Sequence, residues 1–327
     1  MKALVTGAGG FLGGALARRL LEKGWEVRGF ARGDYPAVRA AGAQMLRGDL
    51  GDAEAVDRAA AGVDVVFHVG AKAGVWGPYE EFQRSNVLGT RNVVAACRRQ
   101  SIRRLVFTSS PSILGGRDLE NVDESTPVGG RFLAPYPETK ALSESIALSA
   151  NDSGLAVVAL RPHLVWGPGD NHIVPRLAAR ARTGSLRRIT GKVCLVDSTY
   201  IDNAVDAHLA AAERLPAVGG KAYFISNGEP LPLWDLIARM LDAAGAPPVT
   251  KTISPAGARL AGAVLEDVYR FLGIESEPRM TRFMAEELTT HHYFDLTAAR
   301  RDLGYVPTVS IKEGLTRLAA SYRCQAP

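Results

Sequence analysis

The feature that most constrains this chain lies at its start. Lys2–Thr6 is a short apolar run, and Thr6-Gly7-Ala8-Gly9-Gly10-Phe11-Leu12-Gly13 follows it directly. From Gly10 to about Lys23, Leu12, Leu16, Leu20 and Leu21 recur at helical spacing. A strand that turns through glycines into an apolar-periodic helix opens a right-handed crossover to a second, parallel strand. Each glycine has a task. Gly7 permits a tight turn, Gly10 removes a side chain where a pyrophosphate approaches the backbone, and Gly13 lets the helix pack closely on the sheet. The free N–H groups of the helix start then face the phosphates. A glycine triplet alone is a weak signal, but a strand before it and a helix after it make it a dinucleotide turn.

The alternation continues. Strands are expected at Val27–Ala31, Gln44–Arg47, Val63–Val69, Leu105–Ser109 and Ala156–Leu160, and helices at Asp52–Ala60, Tyr79–Arg99 and Pro137–Ala150. Val63–Val69 is almost wholly apolar, as suits a strand covered on both faces. The fold class is therefore α/β, a Rossmann-type doubly wound parallel sheet with a smaller α/β C-terminal substrate lobe. At 327 residues the chain exceeds one ordinary core. Residues 1–165 are expected to form the dinucleotide domain, residues 166–327 mainly the substrate lobe, and residues 196–226 to return to the sheet. Residues 256–272 are amphipathic and expected to be a core helix or one packed on the cleft, a lid or a membrane-surface helix being the alternatives.

The net charge of +5 comes from basic residues spread without a polybasic block. That favours anionic small molecules over nucleic acid. Cys97, Cys194 and Cys324 are odd in number and lack metal-ligand spacing, so no metal is expected and a reduced, cytoplasmic setting is. The opening strand leaves no room for a signal peptide, and no run of about 18 apolar residues suggests a membrane span.

The end of the second strand bears on the cofactor. An acidic residue there would bond an adenosine ribose hydroxyl. This chain has Ala31-Arg32-Gly33-Asp34, and the Arg32 guanidinium suits a 2′-phosphate, hence NADP(H) with NAD(H) as the alternative. The competing reading is a solvated loop arginine beside Asp34. Asp49 would lie near the adenine amino group, and nearby Asp52 suits a helix cap.

Tyr136 and Lys140 are four residues apart and share a helix face, with Pro137 suited to the first turn. A phenol of pKa about 10 needs help to exchange protons at neutral pH. An adjacent ammonium and a cationic nicotinamide ring would lower that value. Thr108-Ser109-Ser110 ends the fifth strand, where ligands sit in an open α/β sheet. Ser110, or failing it Ser109, is placed to bond the reacting oxygen.

Taken in order, TGAGGFLG, the Asp49-Leu50 pair, HVGA at 68–71, the serines of TSS, YPETK and RPHLVWGPGD at 161–170 resemble the extended short-chain dehydrogenase/reductase family over essentially the whole chain. AKAGVWG at 71–77, FTSSPSI at 107–113, APYPETKALSE at 134–144 and DSTYIDNAVDAH at 197–208 are similar to its 3β-hydroxysteroid dehydrogenase branch. WGPGDNHIVPRL and KAYFISNGEPLP resemble, within that branch, bacterial 2-alkyl-3-oxoalkanoate reductases of olefin biosynthesis. The resemblance implies NADPH-dependent reduction of a long-chain β-keto acid, reversible, with Ser110, Tyr136 and Lys140 catalytic. It adds Phe11, Leu12, Leu50, Gly70, Ala71, Lys72, Asn86, Thr108, Pro162, His163 and Val165 to the cofactor wall. It also implies a homodimer and association with other olefin-pathway enzymes. Gly70 stands where the family more often has alanine.

On the substrate side, a carboxylate wants a cation, and Lys72 is the first candidate, with a solvated lysine as the alternative. His163, Asn171 and His172 flank the second-lobe entry. Trp76, Trp166, Phe132 and Leu133 are candidates for an apolar channel, ordinary packing being the other reading. His68 reads as a satisfied core histidine, and Asn203 and Asp206 as braces of the returning helix. Sterol dehydrogenation, nucleotide-sugar epimerisation or dehydration, and a non-catalytic dinucleotide sensor are the competing functions.

Overall fold

Seven strands form one all-parallel sheet at the centre of the computed structural model, which describes residues 1–325. They are β1 (Lys2–Thr6), β2 (Glu26–Ala31), β3 (Gln44–Arg47), β4 (Val65–His68), β5 (Arg104–Thr108), β6 (Ala156–Pro162) and β7 (Ala222–Ile225). The order is β3-β2-β1-β4-β5-β6-β7, each neighbour parallel. The winding reverses between β1 and β4, which opens a crevice at the strands' carboxyl ends. Successive side chains point to opposite faces. Val5, Phe67, Val106 and Val158 enter one buried cluster, and Leu4, Val66, Leu105 and Val157 enter the other. Each such side chain contributes about 1.5–3 kcal/mol relative to exposure. Helices α1 (Phe11–Glu22), α2 (Pro135–Ser149) and α3 (Ile201–Arg214) cover the faces, and Asp52 caps Ala53–Ala60 by accepting from Glu54 N and Ala55 N.

Two expectations need correction, and one strand has no counterpart among them. The helix expected over Tyr79–Arg99 is α-helical at Tyr79–Phe82 and Gly89–Arg99 with a π-helical turn, Gln83–Leu88, between them. That turn carries the buried Asn86. Leu119–Val122, too short and polar to read as a strand, pairs with His292–Phe294 far along the chain. It joins Leu195–Val196 and Leu231–Pro232 in a four-stranded sheet. Finally, α4 (Pro255–Phe271) is no plain core helix. Its inner face is Ala258, Gly262 and Glu266, while Leu260, Val264, Val268 and Phe271 are 67%, 52%, 43% and 88% exposed. Gly262 explains the inversion: a Cβ there would sit 2.7 Å from the Thr281 carbonyl carbon, so only a small face fits against that backbone. No helix among the described residues is long and apolar enough to cross a membrane.

Candidate active site

A cleft of about 790 Å³ runs along the carboxyl ends of the central strands. Gly7, Gly10, Phe11, Leu12 and Gly13 form one wall. Gly7 has φ +69°, and a Cβ there would lie 2.6 Å from Gly70 Cα. A Cβ on Gly13 would lie 2.2 Å from the Gly7 carbonyl oxygen. A Cβ on Gly10 would meet only the Gly7 oxygen, at 3.2 Å, so the space above it is open. No side chain caps α1 at Gly10, and its first-turn N–H groups remain available to an anion. These residues fit a dinucleotide pyrophosphate.

Arg32 lines the cleft at the end of β2. Asp34 is engaged by Arg39 instead, and among the described residues the Arg32 guanidinium has no ion-pair partner. Asp49 and Leu50 line the same end, the Asp49 carboxylate accepting from Gly51 N at 2.7 Å and facing Arg84 at 3.6 Å. Tyr35 went unnoticed in the sequence. Its ring lies over the glycine turn, where a Cβ on Gly9 would come within 2.0 Å of it. An aromatic in a loop carries no periodic signal.

Gly70, Ala71 and Lys72 continue the wall from β4, and Thr108, Ser109 and Ser110 from β5. Tyr136 and Lys140, on the first turns of α2, complete it opposite Pro162, Val165, Asn171 and His172. Pro135 and Pro137 suit those first turns, where an N–H would lack an intrahelical partner. The Lys140 ammonium donates to the Thr108 carbonyl oxygen at 2.5 Å and lies 4.3 Å from the Phe107 ring centroid. His208 gives its Nδ1–H to the Ala204 carbonyl at 2.7 Å, so its Nε2 accepts from the Thr108 hydroxyl at 2.8 Å. The Ser110 hydroxyl accepts from Ser112 N at 3.3 Å, whereas the buried Ser109 hydroxyl has no partner.

Burial pushes the Tyr136 phenol above its ordinary value, and the Ser110 hydroxyl beside it pulls the other way. Burial pushes Lys140 down to about 7, opposed by Glu144 one helical turn on. For the phenol, burial thus outweighs the acidification expected from Lys140 and a cationic nicotinamide together. The ammonium is committed to a strand carbonyl, and loss of water around the phenol dominates.

Asn86, His163, Trp76 and Phe132 lie outside the cleft lining. Asn86 works beneath it: its Oδ1 accepts from Lys72 N at 2.7 Å, and its Nδ2 donates to Lys72 O at 3.2 Å and Thr139 Oγ1 at 3.0 Å. His163 turns into the interior, bonded to the Asp197 carbonyl at 2.5 Å and edge-on to Phe294. Trp76 donates to the Ile274 carbonyl at 3.2 Å and packs edge-on against Tyr269 of α4. Phe132 is half-buried in the loop before α2. Trp166 is core, edge-on to Tyr200 and donating to Ser198 Oγ at 2.9 Å. Lys72 lines the cleft, but its ammonium is paired with Glu81. His68 bonds Thr6 and Thr90 at 2.8 and 3.1 Å, and burial takes it to about 3, a neutral core histidine. Asn203 ties α3 to Asn227 and to the Val309 carbonyl, and Asp206 pairs with Arg19.

The chain is 53% identical over 327 residues to the 2-alkyl-3-oxoalkanoate reductase of Stenotrophomonas maltophilia (strain K279a), covering 98% of this chain and 99% of that one. It is 48% identical over 331 residues to the 2-alkyl-3-oxoalkanoate reductase of Shewanella oneidensis, covering 98% and 86% respectively. Among solved structures, MoeE5 in complex with UDP-glucose and NAD matches with a TM-score of 0.78 at 25% identity, over 99% of both chains. The family model described as the 3-beta hydroxysteroid dehydrogenase/isomerase family matches residues 4–254. With its parallel sheet and a cleft that fits a nicotinamide dinucleotide, the chain belongs to that family of NAD(P)-dependent enzymes acting on hydroxyl and keto groups.

Proposed function

We propose that this protein reduces the 3-keto group of a 2-alkyl-3-oxoalkanoate with NADPH, reversibly. The observation that carries the chemistry is the meeting of Ser110, Tyr136 and Lys140 in the cleft that holds the glycine turn. The relatives' activity supports the substrate class. When bound, the nicotinamide supplies or takes up the hydride.

The protein's own groups handle the proton. Ser110 hydrogen-bonds the reacting oxygen and orients it. Tyr136, held neutral by burial, donates its phenolic proton to that oxygen. Lys140 stabilises the phenolate left behind, more strongly in a dry site than in water. The free guanidinium of Arg32 favours a 2′-phosphate, hence NADPH. A cytoplasmic setting belongs to the same reading, in keeping with three cysteines that form no disulfide.

The test follows absorbance of the reduced cofactor with a 2-alkyl-3-hydroxy acid and with a 3β-hydroxy sterol, each with NADP and NAD. Turnover of the hydroxy acid with NADP is expected. Tyr136→Phe should lower it about 10²–10⁴-fold while cofactor binding survives. Full activity of Tyr136→Phe would sink the proton-donor role, and turnover of the sterol alone would sink the substrate.

A further inference from the structure

A cluster outside the cleft lining is not used by the ketone reduction proposed above. One ring nitrogen each of His163 and His292 and one carboxylate oxygen of Glu287 all lie within 4.8 Å of one another. They come from separate segments: His163 follows β6, Glu287 ends the helix Arg282–Glu287, and His292 begins the strand His292–Phe294. Both imidazoles are buried.

Each imidazole has its tautomer set from outside the cluster. His163 donates its Nδ1–H to the Asp197 carbonyl oxygen at 2.5 Å, which leaves the lone pair on Nε2. Thr290 gives its one hydroxyl proton to the Glu286 carbonyl at 2.8 Å. The 2.9 Å contact between Thr290 Oγ1 and His292 Nε2 therefore has the imidazole N–H donating, and the His292 lone pair is on Nδ1. That nitrogen faces a Glu287 carboxylate oxygen at 3.3 Å.

A lone pair and a carboxylate are both acceptors, so either a proton or a metal cation belongs between them. At 3.3 Å the pair sits at the long end of the range for an N···O hydrogen bond. The separation matches the roughly 3.3 Å between two ligand atoms on a tetrahedral zinc with bonds of about 2.0–2.1 Å. Outward N–H bonds to a carbonyl and a hydroxyl are what orient metal-ligating histidines.

We propose that His163, Glu287 and His292 bind one divalent ion of the zinc class, with a fourth position open to water or an anion. Two imidazoles and one carboxylate suit zinc over magnesium or calcium, which want oxygen ligands. The ion clips the end of β6 to the four-stranded sheet and to the helix before it. The site is independent of the ketone-reduction reading.

The test uses the full chain stripped with a chelator, then given Zn²⁺ alone. Equilibrium dialysis with elemental analysis should find one tight equivalent, and thermal unfolding should move to higher temperature. Mg²⁺ and Ca²⁺ should do neither. Glu287→Gln, at a partly exposed position where the fold is expected to survive and circular dichroism checks it, should weaken zinc binding by at least about tenfold. X-ray absorption at the zinc edge should show imidazole and oxygen ligands without sulfur. No tight equivalent, equal affinity in Glu287→Gln, or sulfur in the zinc shell would each overturn the proposal. Equal affinity would point elsewhere, such as the more exposed Asp118, Glu120 and His291.

Discussion

Glu144 stands one helical turn beyond Lys140 and two beyond Tyr136 on α2. Its carboxylate accepts from Arg161 Nε at 2.9 Å and Nη2 at 2.6 Å, and the two side chains are only 3% and 4% exposed. The Arg161 guanidinium lies 5.2 Å from the Phe224 ring centroid, and its Nη1 has no partner. Glu144→Gln therefore leaves a buried cation without its counter-charge, at a cost of about 3–5 kcal/mol. The same carboxylate opposes the burial that brings Lys140 down to about 7. Its loss lets the ammonium give up its proton at a lower pH. Urea unfolding followed by circular dichroism should register the stability loss. The alkaline limb of kcat/KM against pH should move to lower pH, because the charged form of Lys140 disappears sooner. Adding Arg161→Met removes the orphaned cation and should restore most of the stability. Lys140 still lacks Glu144 in that double variant, so the displaced limb should remain. A Glu144→Gln protein within about 1 kcal/mol of wild type, with its pH limb unmoved, would refute the argument.

Gly13→Ala should abolish dinucleotide binding in a fluorescence titration, since its Cβ would meet the Gly7 carbonyl oxygen at 2.2 Å and neither backbone can yield cheaply. Retained affinity would contradict that packing. Arg32→Ser should raise the KM for NADPH about tenfold to hundredfold and leave that for NADH alone, the loss expected for one charge-assisted hydrogen bond; equal effects on both would remove Arg32 from cofactor choice. Between pH 7 and the ordinary lysine value of 10.5, the unfolded chain holds the Lys140 proton and the native chain does not. The contribution of this group to stability thus rises with pH across that window, and Lys140→Met should flatten the rise in unfolding free energy. Phe271→Ser and Leu260→Ser should each change stability by no more than about 0.5 kcal/mol, as exposed positions do; a loss typical of the core would mean that this face of α4 is covered.

Much of the fold was legible because it rests on near neighbours. The glycine turn, the alternation of strand and helix, and the shared face of Tyr136 and Lys140 follow from spacings of two to four residues along one segment. The exceptions share a cause. Leu119–Val122 becomes a strand only because His292–Phe294 lies beside it. The direction of α4 depends on how closely Gly262 meets the backbone at Thr281. His163 flanks the cleft in sequence yet turns toward Asp197 and Phe294.

By itself the sequence determined the α/β class, the glycine turn and the placing of phenol and amine on one helix face. Only the tertiary structure decided the burial around that pair, the pairing of Lys72 with Glu81, the freedom of Arg32, and the meeting of His163 with Glu287 and His292. Periodicity reports which way a side chain points along its own helix or strand. Burial and charge pairing depend on groups delivered from elsewhere in the chain, and no local pattern encodes who arrives.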